Sequence, residues 1–184
     1  FKQAIFFVEQ AKFKLWDTMI YQKNNYPPKN HRRYEQAFEY MFVFSKGNPK
    51  SFNPILAPCI YQNQIKKGSK RLVDGSSVKT WGYENPTRET KIYSNIWIYN
   101  VGKFHTTLDI ETYKHPAMFP EKLAQDHILS WTEENDLVYD PFLGSGTVAK
   151  QAIATSRNFI GSEISQEYCE IAKKRIKQVQ KTLF

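Results

Sequence analysis

An α/β fold with a parallel sheet is what the sequence predicts, and three features of its C-terminal part predict it. Leu137-Val138-Tyr139-Asp140 reads as a short buried strand that runs into the turn Gly144-Ser145-Gly146-Thr147. A helix follows to about Thr155, with Val148, Ala149, Ala152 and Ile153 facing inward. Asn158 to Glu163 is a second strand, and Ser165 caps a last helix. Strand, glycine turn, helix, strand, helix is the order of a parallel unit closed by a right-handed crossover.

The remaining elements follow in chain order. Residues 1–12 read as the end of a helix. Leu15 to Tyr21, rich in aromatic and branched residues, is a strand. Tyr26-Pro27-Pro28 makes Asn24 to Asn30 a loop, because neither a helix nor a central strand tolerates paired prolines. Phe38 to Phe44 is a second strand whose near-continuous apolar run predicts burial on both faces. Residues 45–60 carry Gly47, Pro49, Pro54 and Pro58 and read as irregular, and residues 61–90 are polar, basic and turn-rich with no clear period. Lys91 to Val101 alternates, with Ile92, Ser94, Ile96, Ile98 and Asn100 on one side, and reads as one strand. Glu121 to Thr132 is an amphipathic helix with Leu123, His127, Ile128 and Trp131 on its packed face. The last helix carries Glu167 in its first turn and an apolar face of Tyr168, Ile171, Ala172, Ile176 and Val179. Its Lys173, Lys174, Arg175 and Lys177 read as a solvated face.

Length and composition set the outer limits. The 184 residues fit one domain with a small appendage. A composition of 41% hydrophobic and 24% charged residues excludes a disordered tail or a fibrous repeat. The net charge of +8 is not spread evenly: residues 21–91 hold 13 basic and 5 acidic side chains, and the rest hold 13 of each. An anionic partner, most simply nucleic acid, is therefore expected for residues 21–91, the alternative being a solvated basic surface. Cys59 and Cys169 lack C-x-x-C spacing, so neither a disulfide framework nor a cysteine zinc site is expected, and a reducing, cytoplasmic setting fits. The four histidines form no H-E-x-x-H, and no metal is expected. No apolar run long enough for a membrane span exists. The opening Phe1-Lys2-Gln3-Ala4-Ile5-Phe6-Phe7 lacks a small-residue cleavage site and reads as the middle of a helix, so the chain is expected to begin inside a longer protein.

The segment with chemistry is Asp140-Pro141-Phe142-Leu143-Gly144-Ser145-Gly146-Thr147. An acid ends a strand, and glycines that admit close backbone approach open a helix whose first N–H groups have no intrahelical partner. That suits a small polar ligand at the carboxyl end of a parallel strand. No G-K-[ST] follows, so it is not a P-loop, and it is not G-x-G-x-x-G. Asp140 repels a pyrophosphate and attracts an ammonium, while Glu163, 23 residues on at the end of the next strand, suits two ribose hydroxyls. A cofactor with an amino group and a ribose fits the pair; a plain strand-turn-helix with a capping acid is the alternative.

These residues carry a specific resemblance. D-P-F-L-G-S-G-T at 140–147 is similar to motif I of the DNA amino-methyltransferases, which methylate adenine N6 or cytosine N4. I-G-S-E-I-S-Q-E-Y-C-E-I-A-K-K-R-I at 160–176 resembles the segment that follows it in that family. H-P-A-M-F-P-E-K-L at 115–123 resembles motif X, which precedes motif I in the permuted order called beta. Upstream, the strand at 15–23 with Lys23 and the segment 33–46 resemble the paired strands near motif VIII, and residues from about 47 to 112 stand where the family has its variable target-recognition region. The resemblance implies three parts. Residues 1–46 would be edge strands and the end of the catalytic half, 47–112 the recognition region, and 113–184 the cofactor-binding half of a Rossmann-like sheet, incomplete in this chain.

It also implies roles. Asp140 holds the methionine amino group of S-adenosylmethionine. Pro141, Phe142, Gly144, Ser145, Gly146 and Thr147 shape the methionine pocket. Glu163 takes the ribose hydroxyls and Ile164 packs on the adenine ring. Phe119 and Pro120 close the pocket from the other side, and His115 either touches the cofactor or structures its loop. Arg32 and Arg33 beside the Pro-Pro loop, and Lys66, Lys67, Lys70, Arg71 and Arg88 interleaved with Tyr61, Trp81, Tyr83 and Tyr93, are the candidates for contacting double-stranded DNA. His127 reads as a packed side chain.

One family feature is missing. The methylating motif is Asp, Asn or Ser followed by Pro-Pro and an aromatic residue, and no such tetrapeptide occurs; Asn25-Tyr26-Pro27-Pro28-Lys29 has the aromatic on the wrong side. The expectation is a C-terminal portion of a site-specific DNA methyltransferase of restriction-modification type. It would supply cofactor binding and DNA recognition and be inactive and poorly stable alone. Cys59 after Pro58 lies in an irregular loop, which argues against cytosine C5 chemistry through a thiolate. A non-catalytic DNA-binding remnant or complementing subunit is the alternative, and RNA methylation a third reading.

Overall fold

The computed structural model describes residues 1–26, 28, 32–65, 68–79, 86–110, 112 and 118–182. The chain divides into two compact units, Phe1–Asn53 with Asn95–Phe184, and Pro54–Ser94. The smaller unit lies within the stretch 47–112 expected for recognition, and residues 95–112 belong to the larger one.

The larger unit opens with α1 (Lys2–Glu9), which has no buried residue. Its Phe7 ring lies 5.1 Å from Phe44, and Phe1 lies 5.1 Å from Tyr40. β1 (Lys14–Lys23) pairs antiparallel with β2 (Phe38–Ser45), with a bulge between Leu15 and Asp17. On its other edge β1 pairs parallel with β7 (Ile96–Tyr99), giving the order β2-β1-β7. α2 (Glu121–Trp131) packs on this sheet: the Trp97 ring lies 4.6 Å from His127, and Tyr99 Oη donates to the buried Asp126 at 2.8 Å. A second, two-stranded parallel sheet joins β8 (Leu137–Asp140) to β9 (Asn158–Gly161). α3 (Thr147–Ala154) follows β8, and α4 (Gln166–Thr182) follows β9. α3 packs against both α2 and α4, and its Ala149 and Ala152 are fully buried, small side chains that let the helices approach closely.

The smaller unit contains β3 (Leu56–Pro58) paired with β6 (Thr90–Ile92), and β4 (Ser69–Arg71) paired with β5 (Ser77–Lys79), all antiparallel. The β4–β5 turn is closed by Asp74, which accepts from the Ser76 N–H at 2.9 Å, and by Gly75 at φ 84°. None of its described side chains is a buried hydrophobic.

Several expectations need correction. The single strand over 91–101 is two, β6 and β7, in different sheets and different units, broken at Ser94 and Asn95. Within β7 the inward side chain is Trp97, while Ile96 and Ile98 are exposed, because α2 covers the face opposite the one with the isoleucines. Residues 45–60 include the short strand β3, and the turn-rich stretch includes a hairpin. β2 has no buried position, and β8 alternates exposed and half-buried positions. Each has one strand partner among the described residues; the Phe1 and Phe7 rings lie against Tyr40 and Phe44 of β2, and His127 of α2 against Met41 on its other face. Arg175 is not solvated but 2% exposed.

An apolar cleft of about 480 Å³ runs between these two sheets, lined by Tyr40 and Met41 of β2, Leu123, His127 and Ile128 of α2, Val138 of β8 and Val148 of α3. Burial, with help from the nearby Glu39 carboxylate, pushes the Tyr21 hydroxyl at its edge up to about 12. No described helix is long and apolar enough to cross a membrane.

Candidate functional site

The parallel pairing of β8 with β9 sets Asp140 opposite Gly161, so both strands deliver their carboxyl ends to one edge. Asp140 ends β8 with its Oδ1 accepting from the Phe142 N–H at 3.0 Å, which bends the chain out of the strand. The turn then needs two left-handed residues, and glycines supply them: Gly144 at φ 54° and Gly146 at φ 80°. Gly146 has a second constraint, since a Cβ there would stand 2.8 Å from Ala172 Cβ and 3.0 Å from its backbone Cα. The glycine lets α3 start directly against α4.

Glu163 joins the loops after the two strands. Its Oε2 accepts from the Gly144 N–H and its Oε1 from the Ser165 N–H, both at 2.8 Å. Ser165 Oγ in turn accepts from the Tyr168 N–H at 3.4 Å, as a helix cap does. A cavity of about 60 Å³ lies over the turn, lined by Met118, Phe119, Asp140, Phe142, Leu143, Gly144, Ser145, Thr147 and Val148. Of the residues expected at a cofactor, this cavity gathers Phe119, Asp140, Phe142, Gly144, Ser145 and Thr147. Glu163 reaches it through Gly144. Pro141 is exposed, Phe142 is 87% exposed and Ile164 is fully exposed at the outer side. Pro120 is fully buried at the start of α2 and does not line the cavity. His115 lies outside the described residues.

Sequence reasoning missed what lies behind the turn. Arg175, Lys150, Glu121 and Asp109 form a cluster of ion pairs, each cation within 2.8 Å of both carboxylates. Burial acts to raise the Asp109 carboxyl, but the hydrogen bonds and charges of Lys150 and Arg175 outweigh it and hold the group below the usual aspartate range. The signal was present. Arg175 falls on the apolar stripe 168, 171, 172, 175, 176, 179, and only its basic neighbours suggested solvent.

The DNA-contact candidates are more scattered. Arg32 and Arg33 are exposed on the loop between β1 and β2. Lys66, Lys67, Trp81 and Tyr83 lie outside the described residues. Lys70 and Arg71 are adjacent and exposed on β4, so they point to opposite faces of the hairpin. Arg71 shares its face with Lys79, which pairs across from Ser69 and which sequence reasoning did not select. Arg88 is exposed in the same unit. Among the described residues no group of three or more His, Cys, Asp or Glu side chains could hold a metal ion.

Comparison with known proteins decides the family. A family profile described as DNA methylase matches residues 1–174. The chain belongs to the DNA methylase family. It is 50% identical over 183 residues to the orphan methyltransferase M.BamHII of Bacillus amyloliquefaciens, an alignment covering 96% of this chain and 67% of that one. It is 29% identical to the type II methyltransferase M2.DpnII of Streptococcus pneumoniae, covering 95% of this chain and 56% of that one. Among solved structures, the M1.HpyAVI–SAM complex superposes with a TM-score of 0.63 at 28% identity, covering 95% of this chain and 68% of that one. The cytosine-N4-specific PvuII DNA methyltransferase superposes with a TM-score of 0.65 at 22% identity, covering 98% and 60%, and shows the shared fold. The chain thus spans between about half and two thirds of the length of these relatives. The methyltransferase fold expected from motifs I and X is the one observed.

Proposed function

We propose that the chain supplies the cofactor site and a DNA-contacting surface of an S-adenosylmethionine-dependent enzyme that methylates the exocyclic amino group of adenine or cytosine in DNA. Such an enzyme would work in the cytoplasm. The observation that carries this reading is the pair Asp140 and Glu163, delivered by adjacent parallel strands to either side of one glycine turn and one cavity.

The donor set fits this cofactor. S-adenosylmethionine supplies the methyl group when bound. Asp140 is an anion for its ammonium, and the first N–H groups of α3 suit its carboxylate. Glu163, whose oxygens accept from the Gly144 and Ser165 N–H groups, stands at the end of the next strand as the acid for the ribose hydroxyls. The described cavity, about 60 Å³, is far below the roughly 300–1,000 Å³ of a whole ligand site. It takes the amino-acid end, and the nucleoside end lies over the open edge beside Glu163, with Ile164 and Phe142 as its apolar cover. Ser145 and Thr147 turn their hydroxyls to Arg175, so they serve the ligand through the backbone.

The group that orients the target amino nitrogen belongs to a segment outside these 184 residues. Two observations support this. The tetrapeptide that performs that task is absent, and the edge strands β2 and β8 flank an open apolar cleft. Asp140 and Glu163 would hold the cofactor for direct transfer of its methyl to the exocyclic nitrogen, with S-adenosylhomocysteine released, one proton lost from that nitrogen and no covalent enzyme intermediate. The test has two arms. Titration calorimetry should show the 184-residue chain binding the cofactor, with no methyl transferred to duplex DNA. The same chain within its flanking sequence should transfer labelled methyl to duplex DNA and not to structured RNA. Turnover by the chain alone, or preference for RNA, would overturn the corresponding part.

A further inference from the structure

The cluster behind the turn is built around one guanidinium. Arg175 Nε donates to Asp109 Oδ2 at 2.8 Å and its Nη2 to Glu121 Oε1 at 2.5 Å. Lys150 Nζ donates to the same two carboxylates, both at 2.8 Å. Two cations and two anions balance, which is the condition for holding a charge this far from water. The remaining corner, Nη1, turns to the glycine loop. It donates to the Ser145 carbonyl at 2.7 Å and to the hydroxyls of Ser145 and Thr147, both at 3.2 Å.

That carbonyl is an informative place to hold. Gly144 and Gly146 flank Ser145, and glycines leave peptide planes free to rotate. The Ser145 C=O and the Gly146 N–H belong to one rigid plane. Its N–H end donates to Leu143 O at 2.9 Å, and its C=O end accepts from Arg175. Both ends are pinned, and so is the direction in which the following N–H groups of α3 point. The same guanidinium holds Glu121, two residues after Phe119 on the opposite wall of the cavity.

We propose that Arg175 is a positioning residue: it fixes the turn Ser145–Thr147 and the Phe119 wall in the arrangement that receives the amino-acid end of the cofactor. The inference rests on the cofactor reading above. Lys150 separates positioning from mere cohesion, because its ammonium bonds the same acids and has no bond to the turn, which it meets only through its backbone N–H to the Gly146 carbonyl.

Arg175→Lys keeps the charge and loses the planar fork that reaches acids and carbonyl together. In the 184-residue chain, its affinity for S-adenosylhomocysteine by calorimetry should fall about tenfold. Hydrogen exchange of the peptide covering 143–149 should quicken about tenfold, while that of β1 and β2 stays unchanged. Lys150→Gln should lower the thermal midpoint about as much as Arg175→Lys does, with affinity changed less than threefold. Equal loss of affinity in the two variants, or unchanged exchange at 143–149, would overturn the proposal. If the unaltered chain does not bind S-adenosylhomocysteine, the cofactor reading fails, and the exchange comparison still decides the role of Arg175. Should Arg175→Lys not fold, Thr147→Val removes one acceptor alone. An affinity loss of about threefold with faster exchange at 143–149 supports the role, and no change in either opposes it.

Discussion

The cofactor half and the small unit use charge in opposite ways. Around the turn at 144–147, the two cations and two anions of the cluster are matched and bonded to one another, Arg175 buried and its three partners half-buried, and the wider region outside residues 21–91 has no net charge. Residues 54–94 carry 7 basic and 3 acidic side chains, every described cation among them exposed, on short strands without a buried hydrophobic. A small ligand must find its hydrogen-bond partners already in place, so its site is held by a network that leaves little freedom. A polyanion is met by a field of exposed cations, and its own backbone orders the contact.

The sharpest way to break this contrast is to remove one charge from the ordered side. Asp140→Ala should weaken cofactor binding about 100-fold or more, on the scale of ~3 kcal/mol for one partner of a charged pair, with the fold intact. Unchanged calorimetric affinity together with an unchanged circular dichroism spectrum would sink the assignment of Asp140. Rigidity itself is tested next. Gly146→Ala places a Cβ at a left-handed φ and against Ala172, and should cost about 2–4 kcal/mol in urea denaturation. A loss below 1 kcal/mol would mean that α3 and α4 separate easily and that the turn is not held as described.

On the open side, the hairpin separates two arrangements of charge. Affinity for duplex DNA should fall steeply with salt, each phosphate contact adding about 0.9 to the slope. Neutralising Arg71 and Lys79, which share a face, should flatten that slope by about 2 and lower affinity about tenfold, whereas Lys70→Gln should change it by less than half as much. Equal effects at all three positions would indicate a diffuse field instead of a docked face. Neutralising Lys66 and Lys67 in the same measurement shows whether these two cations contribute to the same contact.

What could be read in advance follows the same division. Strand ends, glycines and the paired acids of the cofactor half were legible because their chemistry is local: a turn that needs φ > 0 asks for glycine in the sequence itself. The ion-pair cluster was not, because Asp109, Glu121, Lys150 and Arg175 come from four segments and only packing unites them. A basic run hid the one arginine on the apolar stripe of α4. The β4–β5 hairpin carries the turn signal Asp74-Gly75, but its strands, three residues long and mostly polar, give no alternating apolar pattern. The exposure of β2 could not be foreseen, since an apolar strand reads the same whether its neighbours are present or lie elsewhere in a longer protein.

The smallest effect belongs to His127, which borders the apolar cleft. Its ring packs on Trp97, and its Nε2 lies 3.2 Å from Met41 Sδ. Burial pushes the imidazole below its usual value of 6.5, with Asp126 pulling weakly the other way. The folded state therefore takes up this proton less readily than the unfolded state. Its stabilising contribution is complete above pH 6.5 and declines as pH falls from there through the folded-state value. Asp109, a carboxylate of the ion-pair cluster, is held below the usual aspartate range and so does not titrate in the interval just below 6.5. The urea midpoint should be flat from pH 8 to 7 and drop modestly towards pH 5.5, and His127→Phe should remove most of that drop. An identical decline in the variant would assign it to other groups. The same titration on a longer protein adds a further comparison: if additional strands fill the cleft, His127 becomes drier and the decline steepens, while the exposed cations of residues 54–94 leave it unchanged.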